Sequence, residues 1–288
     1  MDLLFFVHLM NGVLMIAMPV GLALFLTARW KLGARLWWIG AATFILSQVG
    51  HIPFNALAGL VLGRTGLAQW PPEAQLAFNA VFLGLSAGLF EELSRYAMFR
   101  WWATDARSWR KGVLAGAGHG GAEAIILGAL VLYGFVQLAY LRNADLTKIV
   151  PADQAASVAQ QLSIYWSMSW GSSLLGALER LFTIPTQIAL AVIVLQTFTR
   201  RQWFWVWLAV LYHAVLDGST VYLAPRLGAL PTEALVGGFA VLSVAFIFLL
   251  RQPEPAAPEE TPPSAPAPLP PLRPVEATPE KLDQSRYA

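Results

Sequence analysis

The sequence predicts an all-α, polytopic membrane protein with about seven transmembrane helices, N-terminus outside and C-terminus cytoplasmic. Three observations carry this. Of its 288 residues 57% are hydrophobic and only 12% charged, against roughly 25% charged in soluble domains. Seven apolar runs reach the ~20 residues needed to cross the hydrocarbon. Lysines and arginines gather in alternate connectors. The same composition excludes other classes. A formal net charge of +2 with no basic-aromatic cluster argues against nucleic acid as a partner. With no cysteine there is no disulfide framework, thiolate nucleophile or Cys-bound zinc.

The first span runs from about Leu3 to Thr27; Met1-Asp2-Leu3-Leu4 lacks a basic n-region, so it reads as a retained span and not a signal peptide. Arg29, Lys31 and Arg35 lead into the second, about Leu36 to Leu62, which carries Ser47, Gln48 and His51. A polar link through Pro71, Pro72 and Glu73 precedes the third, about Ala74 to Trp101, holding Glu91, Glu92 and Arg95. Arg100, Arg107, Arg110 and Lys111 form the next connector. The fourth span, about Gly112 to Leu141, contains Gly118-His119-Gly120-Gly121-Ala122-Glu123. From Arg142 to about Ser163 the chain reads as loop, and Tyr165, Trp166 and Trp170 suit a membrane interface.

The fifth span is about Leu181 to Phe198, with Glu179-Arg180 as an anchor at its outer edge. Arg200-Arg201 precede the sixth, about Trp203 to Leu223, with His213 and Asp217. The seventh, about Glu233 to Leu250, has no interior charge. Residues 1–251 thus read as one membrane domain. Residues 252–288, dense in Pro, Ala and Glu, read as a disordered tail. The basic connectors follow spans one, three and five, which sets the orientation of a multi-pass cell-membrane protein. No internal repeat signals an inverted-repeat transporter.

The charges inside spans carry the chemistry. A carboxylate at the bilayer centre costs at least about 2.5–3.5 kcal/mol, so the adjacent Glu91 and Glu92 need a reason. Glu91 lies roughly 13 Å before the exit of span three, too deep to snorkel. Arg95 follows it by four residues and Glu92 by three, within reach of both. His119 and Glu123 form an i, i+4 pair roughly 12–18 Å into span four, and His213 and Asp217 a second pair starting about 18 Å into span six. Three helices therefore place ionisable groups at similar depth, which predicts one buried polar site. His51, roughly 22 Å into span two, reads equally as a neighbour of that site or as a structural histidine.

Two hydrolytic schemes fit. In one, Glu91 or Glu92 is a general base on water, with His119 or His213 stabilising an oxyanion. In the other, Zn²⁺ is bound by two imidazoles and a carboxylate drawn from His119, Glu123, His213 and Asp217. No H-E-x-x-H is present. The same buried charges also suit a proton-coupled transporter or a non-catalytic scaffold.

Glu91-Glu92-Leu93-Ser94-Arg95-Tyr96, Gly118-His119-Gly120-Gly121-Ala122-Glu123 and His213-Ala214-Val215-Leu216-Asp217 resemble the three motifs of the YhfC family of bacterial intramembrane peptidases. In motif order that family is similar to the CAAX prenyl endopeptidases and to PrsW. The resemblance covers about residues 1–250. It implies a membrane-embedded protease, of glutamate or zinc metallo type, acting on a membrane-associated peptide or protein at a site open toward the cytoplasmic leaflet. It implies Glu91 as the water-activating base, supported by Glu92 and Arg95. His119 and His213 become oxyanion or metal partners, and Asp217 orients its helix neighbour or the water. Glu123 has no counterpart in the second motif of the CAAX enzymes.

Overall fold

A computed structural model describes residues 3–253. Among these the chain is helical and without strands: α1 (Leu3–Trp30), α2 (Arg35–Leu62), α3 (Pro72–Ala97), α4 (Trp109–Leu141), α5 (Ala152–Ser167), α6 (Trp170–Ser173), α7 (Leu175–Thr199), α8 (Phe204–Leu227) and α9 (Ala229–Leu249). All but α5 and α6 are long and apolar enough to span a bilayer, so the protein is a multi-pass membrane protein. The tail expected from residue 252 lies outside the described residues except for Gln252 and Pro253.

Two boundaries differ from the sequence reading. The stretch expected to be loop after Arg142 contains α5. Pro151 begins it, Asp153 in its first turn faces the positive end of the helix dipole, and Val158, Leu162 and Tyr165 recur at helical spacing. Leu162 is buried, and the Tyr165 ring stacks on His8 of α1 at 4.0 Å. α7 begins at Leu175 and not near Leu181, because Glu179 and Arg180 lie within the helix. α3 continues through a π-helical turn, Met98–Trp102, before the connector to α4. There Asp105 accepts hydrogen bonds from Arg35 at 3.1 Å and ties the connector to the start of α2.

The bundle is inside-out relative to a soluble protein. Leu24, Val49, Val136 and Val241 are each more than 60% exposed on its outer surface, where acyl chains would cover them. α7 is the central helix, buried without interruption from Thr186 to Thr197. Around it the helices meet through small residues, as membrane helices do when backbones must approach closely. A Cβ on Gly118 of α4 would overlap the Trp37 carbonyl oxygen of α2, and one on Gly40 would overlap that of Ala115. α3 meets α8 in the same way: a Cβ on Gly84 would overlap the Ala214 carbonyl oxygen, and one on Gly88 would lie 2.6 Å from that of Val210. The end of the bundle carrying the basic connectors is filled by Met98, Phe99, Leu114, Leu190 and Leu195, all essentially inaccessible.

These contacts give a paired prediction. Gly118→Ala separates α2 from α4 and costs about 1–3 kcal/mol as overpacking. Gly21→Ala, on α1 with nothing within 4 Å of its new methyl, is neutral or stabilising by up to about 1 kcal/mol. Equilibrium unfolding in mixed micelles reads both.

Candidate active site

The close α3–α8 contact places Glu92 directly against His213. Adjacent residues on a helix point about 100° apart, so Glu92 faces α8 while Glu91 faces α2, α4 and α7. Arg95, one turn further along α3, reaches back to both. Arg95 and Glu92 are fully buried, and Glu91, His119 and His213 nearly so.

Around Glu91 four helices contribute donors. Gln48 Nε2 of α2 donates to Oε1 at 3.0 Å. His119 Nε2 of α4 lies 3.1 Å from Oε2, which also has Arg95 Nη2 and Gln187 Nε2 at 3.5 Å. Around Glu92, Oε1 accepts from His213 Nδ1 at 2.7 Å and from Arg95 Nη1. His213 Nε2 stands 3.5 Å from Asp217 Oδ2. The depths agree: measured from the end carrying the basic connectors, Glu91, His119 and His213 lie about 17, 15 and 14 Å along their helices.

The structure therefore brings Glu91, Glu92, Arg95, His119, His213 and Asp217 into one cluster. His51 joins through Gln48, whose Oε1 is 3.4 Å from His51 Nδ1. Glu123 lies beside the cluster with its carboxylate engaged, by Arg180 Nη1 at 2.5 Å and by Gln187 Nε2 at 2.7 Å. Arg180 is not a surface anchor. It is buried, and it bonds Glu179 as well, because a long arginine can curl back to a neighbour that a short side chain could not reach. Gln187 is the residue that sequence reasoning misses. Its Oε1 accepts from Arg95 Nη2 while its amide nitrogen serves Glu91 and Glu123. Its one signal is a polar amide just ahead of the apolar run Ile188–Leu195.

A cavity of about 580 Å³ exposes Glu91, His213 and Asp217 and extends past Arg180 to Glu233 and Thr232 near the start of α9. It leads away from the basic connectors, whereas the expectation was a site open on their side. The physical reason is the packing just described: the glycine contact of α2 with α4 and the apolar core close that end.

Among the described residues no group of three His, Asp or Glu side chains is arranged to hold a metal ion. The donors stand in two pairs, His119 with Glu91 and His213 with Asp217. In kind they fit zinc, since two imidazoles and carboxylates make a hydrolytic zinc set. The charge balance also fits a cation, because the cluster holds three carboxylates, Glu91, Glu92 and Asp217, and one guanidinium, that of Arg95.

Removing Arg95 strands two buried carboxylates. Arg95→Met destabilises the protein by about 3–5 kcal/mol, and Arg95→Lys recovers only part of it because one ammonium lacks the fork that meets Glu91, Glu92 and Gln187 together. Unfolding in mixed micelles measures the difference.

With the geometry in place, comparison with known proteins adds identity. The profile of the YhfC intramembrane metalloprotease family matches residues 14–240, which contain every member of the cluster. The chain is similar to the uncharacterized membrane protein YhfC of Bacillus subtilis (strain 168), at 27% identity over 246 residues that cover 83% of this chain and 93% of the relative. No solved structure matches it. This chain belongs to the YhfC intramembrane metalloprotease family.

Proposed function

We propose that this protein is an intramembrane endopeptidase in which Glu91 activates the water that attacks a peptide bond. The observation that supports it most is the Glu91 carboxylate itself, buried at the wall of a cavity and held by donors from α2, α3, α4 and α7. A base fixed in this way loses little freedom when the reaction begins. Arg95 and Glu92 form the support: Arg95 holds both carboxylates, and Glu92 fixes the ring of His213 through Nδ1. That leaves His213 Nε2 beside Asp217. Protonated there, His213 donates to the developing oxyanion; neutral, it offers a lone pair. His119 Nε2 meets Glu91 itself, 3.1 Å from Oε2, and so orients the base.

Zinc, where bound, would be held by His119 and His213 with Asp217, leaving Glu91 as the base, and would supply Lewis-acid polarisation of the carbonyl and a more acidic water. The basic connectors support an orientation with the N-terminus outside and the C-terminus cytoplasmic. The cavity mouth beside α9 then faces outward, and water reaches Glu91 from that side.

The test uses the protein in lipid nanodiscs with a set of apolar membrane peptides, cleavage being read by mass spectrometry. Glu91→Gln lowers cleavage by about 10²–10⁴-fold, the range of general base catalysis. Metal analysis of the same preparations separates the two chemistries. Stoichiometric zinc that is lost in His119→Ala supports the metallopeptidase, and full activity without zinc supports the glutamate base with histidine oxyanion donors. Solute flux abolished by Glu91→Gln, with no peptide cleaved, overturns the peptidase in favour of a transporter.

A further inference from the structure

At the end of the bundle opposite the basic connectors, a separate cavity of about 330 Å³ lies where the start of α1 meets the end of α4 and the start of α7. It shares no lining residue with the active-site cavity, and no Asp, Glu, Lys or Arg lines it among the described residues. Its walls divide by chemistry. Val131, Phe135 and Leu138 stand at i, i+4 and i+7 on α4 and form an apolar stripe about 10 Å long. Asn11 of α1, with Ser172 and Ser173 just before α7, makes the polar side.

Asn11 is only 9% exposed. Its Oδ1 accepts from the backbone N–H of Ala177 at 2.8 Å and so caps the first turn of α7. That bond fixes which way round the amide sits, and it leaves both N–H groups of Nδ2 to be satisfied elsewhere. They meet no acceptor among the described residues, and the nitrogen is not sealed in packing as the indole nitrogen of Trp166 is. Gly176 keeps it uncovered, since a Cβ there would lie 3.1 Å from Nδ2. The serines do not answer it: Ser173 Oγ donates to the Ser169 carbonyl at 3.0 Å, and Ser172 Oγ pairs with Ser169 Oγ at 2.8 Å. A buried donor without a partner is unfavourable, so the cavity calls for an acceptor.

Depth says which acceptor. α1 has 28 residues and is about 42 Å long, the thickness of a bilayer with its headgroups, of which the interfacial layer takes about 5–7 Å on each side. Asn11 lies about 12 Å from the start of α1, and its side chain tilts back toward that end. The amide therefore stands a few ångström below the headgroups, where a diacyl lipid carries its ester carbonyls. A phosphate would sit higher and would call for a cation, which the lining lacks. An ester carbonyl needs only a neutral donor, and the chain attached to it needs an apolar wall.

We propose that this cavity holds the glycerol-ester region of a diacyl lipid from the leaflet opposite the basic connectors, one ester carbonyl accepting from Asn11 Nδ2 and one acyl chain lying along Val131, Phe135 and Leu138. The lipid joins α1, α4 and the start of α7. The site stands apart from Glu91 and does not depend on the peptidase reading.

The full-length protein in mild detergent is titrated with diacyl phosphatidylcholine and with the dialkyl analogue that lacks both carbonyls, bound lipid being counted by native mass spectrometry. One diacyl molecule is expected to bind saturably, about fivefold more tightly than the dialkyl lipid, equivalent to about 1 kcal/mol for one neutral hydrogen bond. Gly134→Leu fills the cavity from α4, where a new Cβ meets nothing within 4 Å, and removes this binding step. Gly21→Leu, equally free of contacts at its Cβ, keeps it. Asn11→Asp retains an oxygen to cap α7, where negative charge is favoured, and loses the amide hydrogens, so it binds the two lipids equally. Glycerol triacetate, which has the esters without the chains, does not compete. Equal affinity of the two lipids for the unaltered protein overturns the proposal, as does the absence of a saturable step or a step that Gly134→Leu leaves unchanged. Displacement of the lipid by glycerol triacetate at matched concentration overturns it in favour of a small soluble ester.

Discussion

The guanidinium of Arg95, fully buried and shared between Glu91 and Glu92, is the interaction on which the rest of the bundle depends. Two carboxylates in the middle of an apolar helix are tolerable only if something answers their charge, and Arg95 does so from their own helix. Because the pair sits at i, i+3 and i, i+4 it forms as soon as α3 does. α3 therefore meets its neighbours with part of its charge already compensated. What remains negative is answered across interfaces by His213, His119, Gln48 and Gln187. Each of those contacts ties α3 to a different helix, so the polar cluster also acts as an assembly device.

Close helix approach is the geometric condition for this. Gly84 and Gly88 let α3 sink onto α8 until His213 Nδ1 reaches Glu92, and Gly118 lets α4 sink onto α2 beside His119. The glycines of the His119 motif thus serve packing: they remove side chains from the surfaces where backbones meet. α7, buried through its centre, supplies Gln187 and Arg180 from behind, and a second ion pair, Arg180 with Glu123, neutralises the wall opposite Glu91.

The spans, and the cluster of Glu91, Glu92, Arg95, His119, His213 and Asp217, are legible in the sequence because an ionisable residue in an apolar run is costly. Such residues stand out singly, and their depths can be compared with nothing but the helical rise. Neutral amides are harder to read. Gln187 and Gln48 carry no charge, disturb hydropathy little, and gain meaning only when a neighbouring helix is rotated against them. The same applies to Arg180, which sits next to Glu179 like an interfacial pair but turns inward once α7 starts a turn and a half earlier than hydropathy suggests. α5 was hidden for the opposite reason: its apolar stripe is narrow and most of its surface is polar. Which end of the chamber opens is a property of packing volume and leaves no local mark in the chain.

α2 is the least enclosed of the membrane-crossing helices, with 6% of its most apolar stretch buried, yet it delivers Gln48 to Glu91. Lipid is therefore a structural neighbour of the very helix that donates to the Glu91 carboxylate. Tilt in a helix responds to hydrocarbon thickness and to lateral pressure. α2 is held against α4 at Gly40 and against α3 through Gln48 and His51, so a change of tilt is felt at the contact between Gln48 and Glu91. Bilayer thickness then becomes a variable of the cluster: the same chain would set Gln48 against Glu91 differently in a thin and in a thick membrane.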